Sequence, residues 1–266
     1  MYAVKMKKER TLRIIGERLE VAGNPIELSK GWNWIGYYGR QVSTLADAFA
    51  DLSPINGDMV KAQSGIAYYD TYEWVGSLPM LEPGQGYKFK NASDQTRSFR
   101  YPGSVVSLAP IRQAAGLRAA SGAFQPVDYH NYSGNATMAV KVVKDNVPMA
   151  NVEIGVFVDG ECRAAAFTDN AGVAYLTIPG DDTAEMGFKV AQGAQITDIP
   201  GVITYETDGI YGSPENPIYV KLGVTTGIGA MESVAGTDSE YDLMGRKAME
   251  SQKGILIREG KKILRK

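Results

Sequence analysis

Alternation of apolar and polar residues with a period of two runs through most of this chain and predicts strands. It marks Tyr2–Met6, Thr11–Ile15 and Trp32–Tyr38, then Gly65–Tyr69, Tyr72–Leu78 and Gly86–Lys90. In the last of these Tyr87 and Phe89 face one way and Lys88 and Lys90 the other, with Pro83-Gly84 supplying the turn before it. One stretch breaks the period. Leu45, Ala48, Phe49 and Leu52 fall at i, i+3, i+4 and i+7, so Thr44–Leu52 is expected as a helix. Thr44 and Asp47 make a capping-box-like start, and Ser53-Pro54 stops it. Residues 1–102 are therefore expected to form a small α+β module.

Residues 103–125 are rich in Ala, Gly and Ser and carry no aromatic until Phe124, the composition of a linker with at most a short helix around Ile111–Ala120. From 126 to 222 the alternation returns at Met138–Val143, Val152–Val158, Arg163–Thr168, Val173–Ile178 and Gly187–Val190. Turn sequences at Asp145–Pro148, Asp159–Glu161, Asp169–Gly172 and Pro179–Asp182 separate these runs, at the spacing of an antiparallel sandwich. Residues 223–238 read as a second linker. The last 28 residues, 239–266, alternate the apolar runs Tyr241–Met244 and Ile255–Ile257 with Gly245, Gly254 and Gly260, then end in a basic tip.

Charge is uneven. The whole chain carries a formal net charge of −2, but residues 126–222 hold 13 acidic against 5 basic residues, and residues 239–266 hold 8 basic against 4 acidic. An acidic middle argues against nucleic acid, whose phosphates need a basic footprint. No apolar run approaches the roughly 20 residues of a membrane helix. One cysteine, Cys162, leaves no intrachain disulfide or zinc–thiolate cluster. The start, M-Y-A-V-K-M-K-K, has a basic look, but no apolar stretch of about 7–15 residues follows as a signal peptide requires. Met1 is thus expected to be an internal position of a longer chain.

Three segments carry a family likeness. The tail pattern Y-D-L-x-G-R-K…K-G-I-x-I…G-K-K within Ser239–Lys266 resembles the C-terminal sorting domain of proteins exported by the type IX secretion system of Bacteroidota. That resemblance implies the secretion machinery as a partner and an extracellular or outer-membrane-surface location. G-W-N-W-I-G-Y (Gly31–Tyr37), with Asp58–Tyr69, Tyr72–Leu78 and Pro83–Tyr87, resembles a module of large Bacteroidota surface proteins. V-P-M-A-N-V-E-I-G-V-F-V followed by F-T-D-N-A-G-V-A-Y-L-T-I resembles transthyretin-like and Ig-like bacterial surface domains, in which Gly172 would take a positive-φ turn position. A more specific sandwich module shares Gly155–Arg163 and Glu206–Pro214, but Ala164-Ala165-Ala166 replaces its glycine-rich continuation. The expected fold class is mainly β: a small α+β module, an Ig-like antiparallel β-sandwich and a short C-terminal β tail.

Catalytic resources are few. His130 is the only histidine, which excludes H-E-x-x-H and three-histidine zinc sites, and no G-x-S-x-G, P-loop or dinucleotide fingerprint occurs. Cys162 reads as a small apolar filler, and no catalytic residue and no cofactor is assigned. Asp159, Glu161, Asp169, Asp181 and Asp182 fall in expected turns, where carboxylates can bind Ca²⁺ or simply be solvated. Tyr68, Tyr69, Tyr72 and Trp74 could stack on a carbohydrate or fill a protein partner's groove, whereas Trp32 and Trp34 share one strand face and read as core. Asp182-Thr183-Ala184 matches the acceptor pattern of Bacteroidota O-glycosylation, at Thr183. The reading is a non-catalytic C-terminal part of a surface protein, acting in adhesion, ligand binding or spacing. The alternative is an ancillary region of a surface glycosidase or protease whose catalytic domain lies upstream.

Overall fold

The computed structural model describes residues 23–103 and 122–223, the strands 227–229, 254–258 and 261–265, and a few positions before residue 23. The expected strand Tyr2–Met6, most of the expected linker 103–125 and the run Tyr241–Met244 lie outside the described residues. The chain is mainly β, as its alternation predicts. Residues 1–229 form one compact unit and residues 230–266 another.

The module begins with β1 (Ile26–Leu28), β2 (Gly31–Gly36) and β3 (Ser43–Thr44), followed by α1 (Leu45–Ala48). It continues with β4 (Met59–Lys61), β5 (Ile66–Asp70), β6 (Glu73–Gly76), β7 (Met80–Leu81), β8 (Gly86–Asn91) and β9 (Arg97–Phe99). Five of these make an antiparallel sheet in the order β2-β8-β4-β5-β6. The Thr44 side chain caps α1 by accepting from the Asp47 N–H, but the helix is shorter than expected and ends at Phe49, whose φ of −106° leaves the helical range. The apolar stripe survives the shortening. Leu45, Ala48, Phe49 and Leu52 are all buried, with Phe49 wedged among Trp74, Phe89, Phe99 and Tyr101.

The second half contains β10 (Asn135–Lys144), β11 (Val147–Pro148), β12 (Glu153–Val158), β13 (Glu161–Phe167) and β14 (Val173–Pro179). It continues with β15 (Ala184–Gln192), β16 (Gln195–Tyr205), β17 (Ile210–Tyr211), β18 (Ile218–Leu222) and β19 (Gly227–Gly229). One sheet is β13-β12-β15-β16; the other is built on β10, which pairs with β11, β14, β17 and β18. Among the described residues every ladder is antiparallel except β10 with β17 and β10 with β18, which are parallel. The core between the sheets takes alternate residues from both, such as Met138, Val140, Ile154, Val156, Leu176 and Phe188. Gly172 takes φ +78° as expected, and a Cβ there would meet the Met149 nitrogen and the Val142 oxygen at 3.0 Å. In the tail unit, β20 (Gly254–Arg258) and β21 (Lys261–Arg265) pair as an antiparallel hairpin.

Candidate functional site

The five-stranded sheet has two chemically different faces, set by its register. Asn33, Phe89, Val60, Ala67 and Gly76 lie in one row across it, and Ile35 pairs with Tyr87; this face covers the module core with α1. The opposite face carries two rows. One is Trp32, Lys90, Met59, Tyr68 and Val75; the other is Trp34, Lys88, Lys61 and Ile66. Period-two alternation therefore puts both tryptophans on the same face as the lysines. The expectation that Trp32 and Trp34 are core is overturned: they are 37% and 56% exposed. The Lys88 ammonium sits 4.7 Å from the Trp34 ring centroid, a cation–π contact on the surface.

The rest of that face is covered by the sandwich. Met59, Ile66 and Tyr68 pack in one apolar cluster with Val75 and with Tyr175 of β14, the Tyr68 and Tyr175 rings lying 5.9 Å apart. On β10, Thr137 and Ala139 point away from the sandwich core, opposite Thr177 and Tyr175, yet both are fully buried. Two sheets are therefore stacked face to face, as within a sandwich, around a central cluster of Met59, Ile66, Tyr68 and Tyr175.

Polar groups stitch the seam's rim. Lys61 Nζ donates to the Asn135 carbonyl at 2.8 Å and to Asp208 Oδ1 at 3.1 Å. Lys88 Nζ donates to both Asp208 oxygens, at 2.8 and 2.9 Å. Asn135 returns its amide to the Ala62 and Gln63 carbonyls, and Gln63 donates to the Tyr132 carbonyl. Burial lowers the Lys61 pKa, against the pull of Asp208. Burial alone would raise that of Asp208, but hydrogen bonds from Lys88 and Lys61, with their charges, hold it below the usual carboxylate value. Burial also pushes Tyr68 up to about 12, partly offset by the Thr137 hydroxyl.

The aromatic residues proposed for binding are divided by this arrangement. Tyr68 is inside the seam. Trp74 packs on Phe49 and Phe89 in the module core, and half-buried Tyr69 meets Trp74 edge-on at 5.3 Å. Tyr72 alone stands out: it is 90% exposed at the tip of the β5–β6 hairpin, with φ +82° after Thr71 at φ +42°. The four residues thus do not form one exposed platform, because alternation sends Tyr68 and Tyr69 to opposite faces. Trp32 and Trp34, which the same alternation could have placed on either face, are the exposed aromatic pair.

The five turn acids are likewise not brought together. Asp159 and Glu161 lie at the β12–β13 turn, Asp169 at the β13–β14 turn, and Asp181 and Asp182 at the β14–β15 turn. Asp169 Oδ1 accepts from the Ala171 and Val173 N–H groups, and Asp181 Oδ1 accepts from Ser133 and Gly134, so these two carboxylates brace loops. Among the described residues no three His, Cys, Asp or Glu side chains converge as a metal site. Thr183 is exposed in the β14–β15 turn. His130 stacks on Tyr129 and pairs with Asp128 at 2.7 Å. Cys162 is buried against Phe124 and Ala191, its thiol pushed up to about 11 by burial and by Glu153, conditions that disfavour a thiolate. A buried ion pair that the turn pattern did not reveal joins Arg97 to Asp58 at 2.6 Å; Asp58 is fully buried and also accepts from the Ile55 and Ala92 N–H groups.

No family model matches the chain, and no curated protein matches it. Among solved structures, the Bacillus anthracis TIE protein is similar at 12% identity over 83% of this chain, with a TM-score of 0.23. This chain spans about 41% of that protein. Among the described residues no helix is long and apolar enough to cross a membrane.

Proposed function

We propose that this chain is the non-catalytic C-terminal part of a secreted or cell-surface bacterial protein, acting in adhesion, ligand binding or spacing. The observation that carries the reading is the Trp32–Trp34 strip. Two large rings stand on one strand beside Lys88 and Lys90, and the sandwich covers the rest of the same face. Exposed aromatics beside cations are the chemistry of sugar-ring stacking and of protein interface anchors. The stacked sheets give that strip a rigid support, as a spacer requires. The tail's resemblance to a type IX sorting signal supports an extracellular or outer-membrane-surface address.

Retention of the whole chain on arrays of purified glycans and of matrix proteins tests the reading. Some glycan or protein should retain it, and replacing both tryptophans (Trp32→Ala with Trp34→Ala) should weaken that retention at least tenfold while leaving the melting temperature close to that of the parent. Equal retention of the two proteins would contradict it.

A further inference from the structure

A cleft of about 180 Å³ opens where the module's turns overhang the sandwich, away from the tryptophan strip. Its walls come from Gln63, Ser64 and Ser77 on the module side, and from Arg163, Ala165 and Thr177 on the sandwich side. Along its floor runs the outer edge of β14. That strand has one hydrogen-bonded neighbour among the described residues, β10. Val142 N–H donates to the Gly172 carbonyl and Gly180 N–H to that of Gly134, which sets the phase of the ladder. In an antiparallel pair alternate residues point their N–H and C=O groups at the partner. Ala174, Leu176 and Ile178 therefore bond to β10, whereas the backbone groups of Val173, Tyr175, Thr177 and Pro179 point outward.

The two ends of this edge are occupied. Val173 is tied to Asp169, donating to its Oδ1 and accepting from its N–H, and the Pro179 carbonyl accepts from Arg163 at 3.4 Å. Tyr175 and Thr177, between them, line the cleft with outward N–H and C=O groups two residues apart, the repeat that another extended chain matches. Two side chains add to this. The Thr177 hydroxyl is buried without a hydrogen-bond partner. Arg163, held over the Tyr132 ring at 4.5 Å, places Nε 3.2 Å from a Glu161 oxygen without an aligned hydrogen bond. A buried donor in that condition favours a further acceptor.

We propose that this cleft binds an extended peptide, which adds as a short strand along the outer edge of β14 and sets an acidic group against Arg163. The site shares no residue with the Trp32–Trp34 surface, so the two can succeed or fail separately. Main-chain hydrogen bonds to Tyr175 and Thr177 supply the binding, and Arg163 supplies the preference for a carboxylate.

The test uses the full chain, labelled with ¹⁵N, and a positional-scanning library of N-acetylated hexapeptide amides. The expected result is saturable binding of peptides carrying Asp or Glu at one position, with hydrogen exchange of the Tyr175 and Thr177 amides slowed at least tenfold. Arg163→Gln should weaken the acidic peptides at least tenfold and leave their Asn or Gln analogues unchanged. Absence of any saturable peptide, binding that leaves the two amides unaltered, or perturbation of the same amides by monosaccharides instead of peptides would overturn the proposal.

Discussion

Lys61 of the module and Asp208 of the sandwich meet across the seam, Nζ to Oδ1 at 3.1 Å, with 4% of the lysine side chain exposed against 52% of the aspartate's. The pair is lopsided: the cation is dehydrated while the anion stays half in water and takes Lys88 as a second partner. Such a contact adds little free energy by Coulomb attraction alone, but it leaves a buried ammonium stranded if the aspartate is removed.

That asymmetry gives a pH dependence. The Asp208 pKa is lowered below its ordinary 3.8 in the folded chain, so its contribution is present above that value and is lost as pH falls through the folded pKa. Asp208→Asn should therefore lower the melting temperature at pH 7, and the difference from the parent should shrink as pH drops below 3.8. The lowered pKa of Lys61 acts at the other extreme: stability should rise as pH climbs from its folded value toward the ordinary 10.5, because the unfolded chain then binds the extra proton. Melting curves of parent and Asp208→Asn from pH 2.5 to 10 check both limbs.

The β5–β6 hairpin turns on Thr71 and Tyr72, both at positive φ, a geometry that Asn-Gly adopts with far less strain. The left-handed region costs an ordinary L-residue roughly 1–2 kcal/mol. Replacing the pair (Thr71→Asn with Tyr72→Gly) should stabilise the chain by about 1 kcal/mol in urea unfolding, less than the full strain because Thr71 Oγ1 now bonds Asp70. Unchanged or reduced stability would mean that the exposed tyrosine makes a contact worth as much as the strain.

Asp58 is fully enclosed and accepts from two backbone N–H groups besides Arg97. Removing the cation alone with Arg97→Met should cost about 3–5 kcal/mol, since it leaves a buried carboxylate unpaired. Arg97→Met combined with Asp58→Asn should recover part of that loss, as measured by urea unfolding.

Much of this was legible in the chain, and the parts that were not share a cause. Alternation over Gly86–Lys90 sorted Tyr87 and Phe89 from Lys88 and Lys90, and both aromatics are buried. The same alternation grouped Trp32 with Trp34 but could not say which face of the sheet lies inside. The deciding fact is remote: Phe49, Leu81 and Phe99 gather with Val60 and Phe89 on the other face, which makes that one the module core. The parallel pairing of β10 with β18 was hidden for the same reason, because it joins residues about eighty apart. Local signals fared better. Thr44 capped its helix and Gly172 took its positive φ, each decided within a few residues. Asp159, Asp169, Asp181 and Asp182 lie between strands and Glu161 opens β13; Asp169 braces its own loop, the ordinary use of Asp there, whereas Asp181 ties its turn to the distant Ser133–Gly134 segment.

The address proposed for the tail is open to a direct test. In a host that has type IX secretion, deleting residues 239–266 should leave the protein in the periplasm, as read by fractionation and surface proteolysis. A truncated protein that still reaches the surface would remove the tail from the account. O-glycosylation expected at Thr183 is tested by the intact mass of the native protein beside its Thr183→Ala variant from the same cells: a mass difference beyond the substitution itself is the expected result, and equal masses after that correction contradict it.

The stacking of module on sandwich buries Tyr68 and creates the cleft. Nuclear Overhauser effects between the Tyr68 and Tyr175 rings of the full chain test it most directly, given a centroid separation of 5.9 Å. Cross-peaks between these rings, with one rotational correlation time shared by residues 23–103 and 122–223, are the predicted result. No cross-peak and two different correlation times would mean that the two halves tumble separately, and the seam with everything built on it would be contradicted.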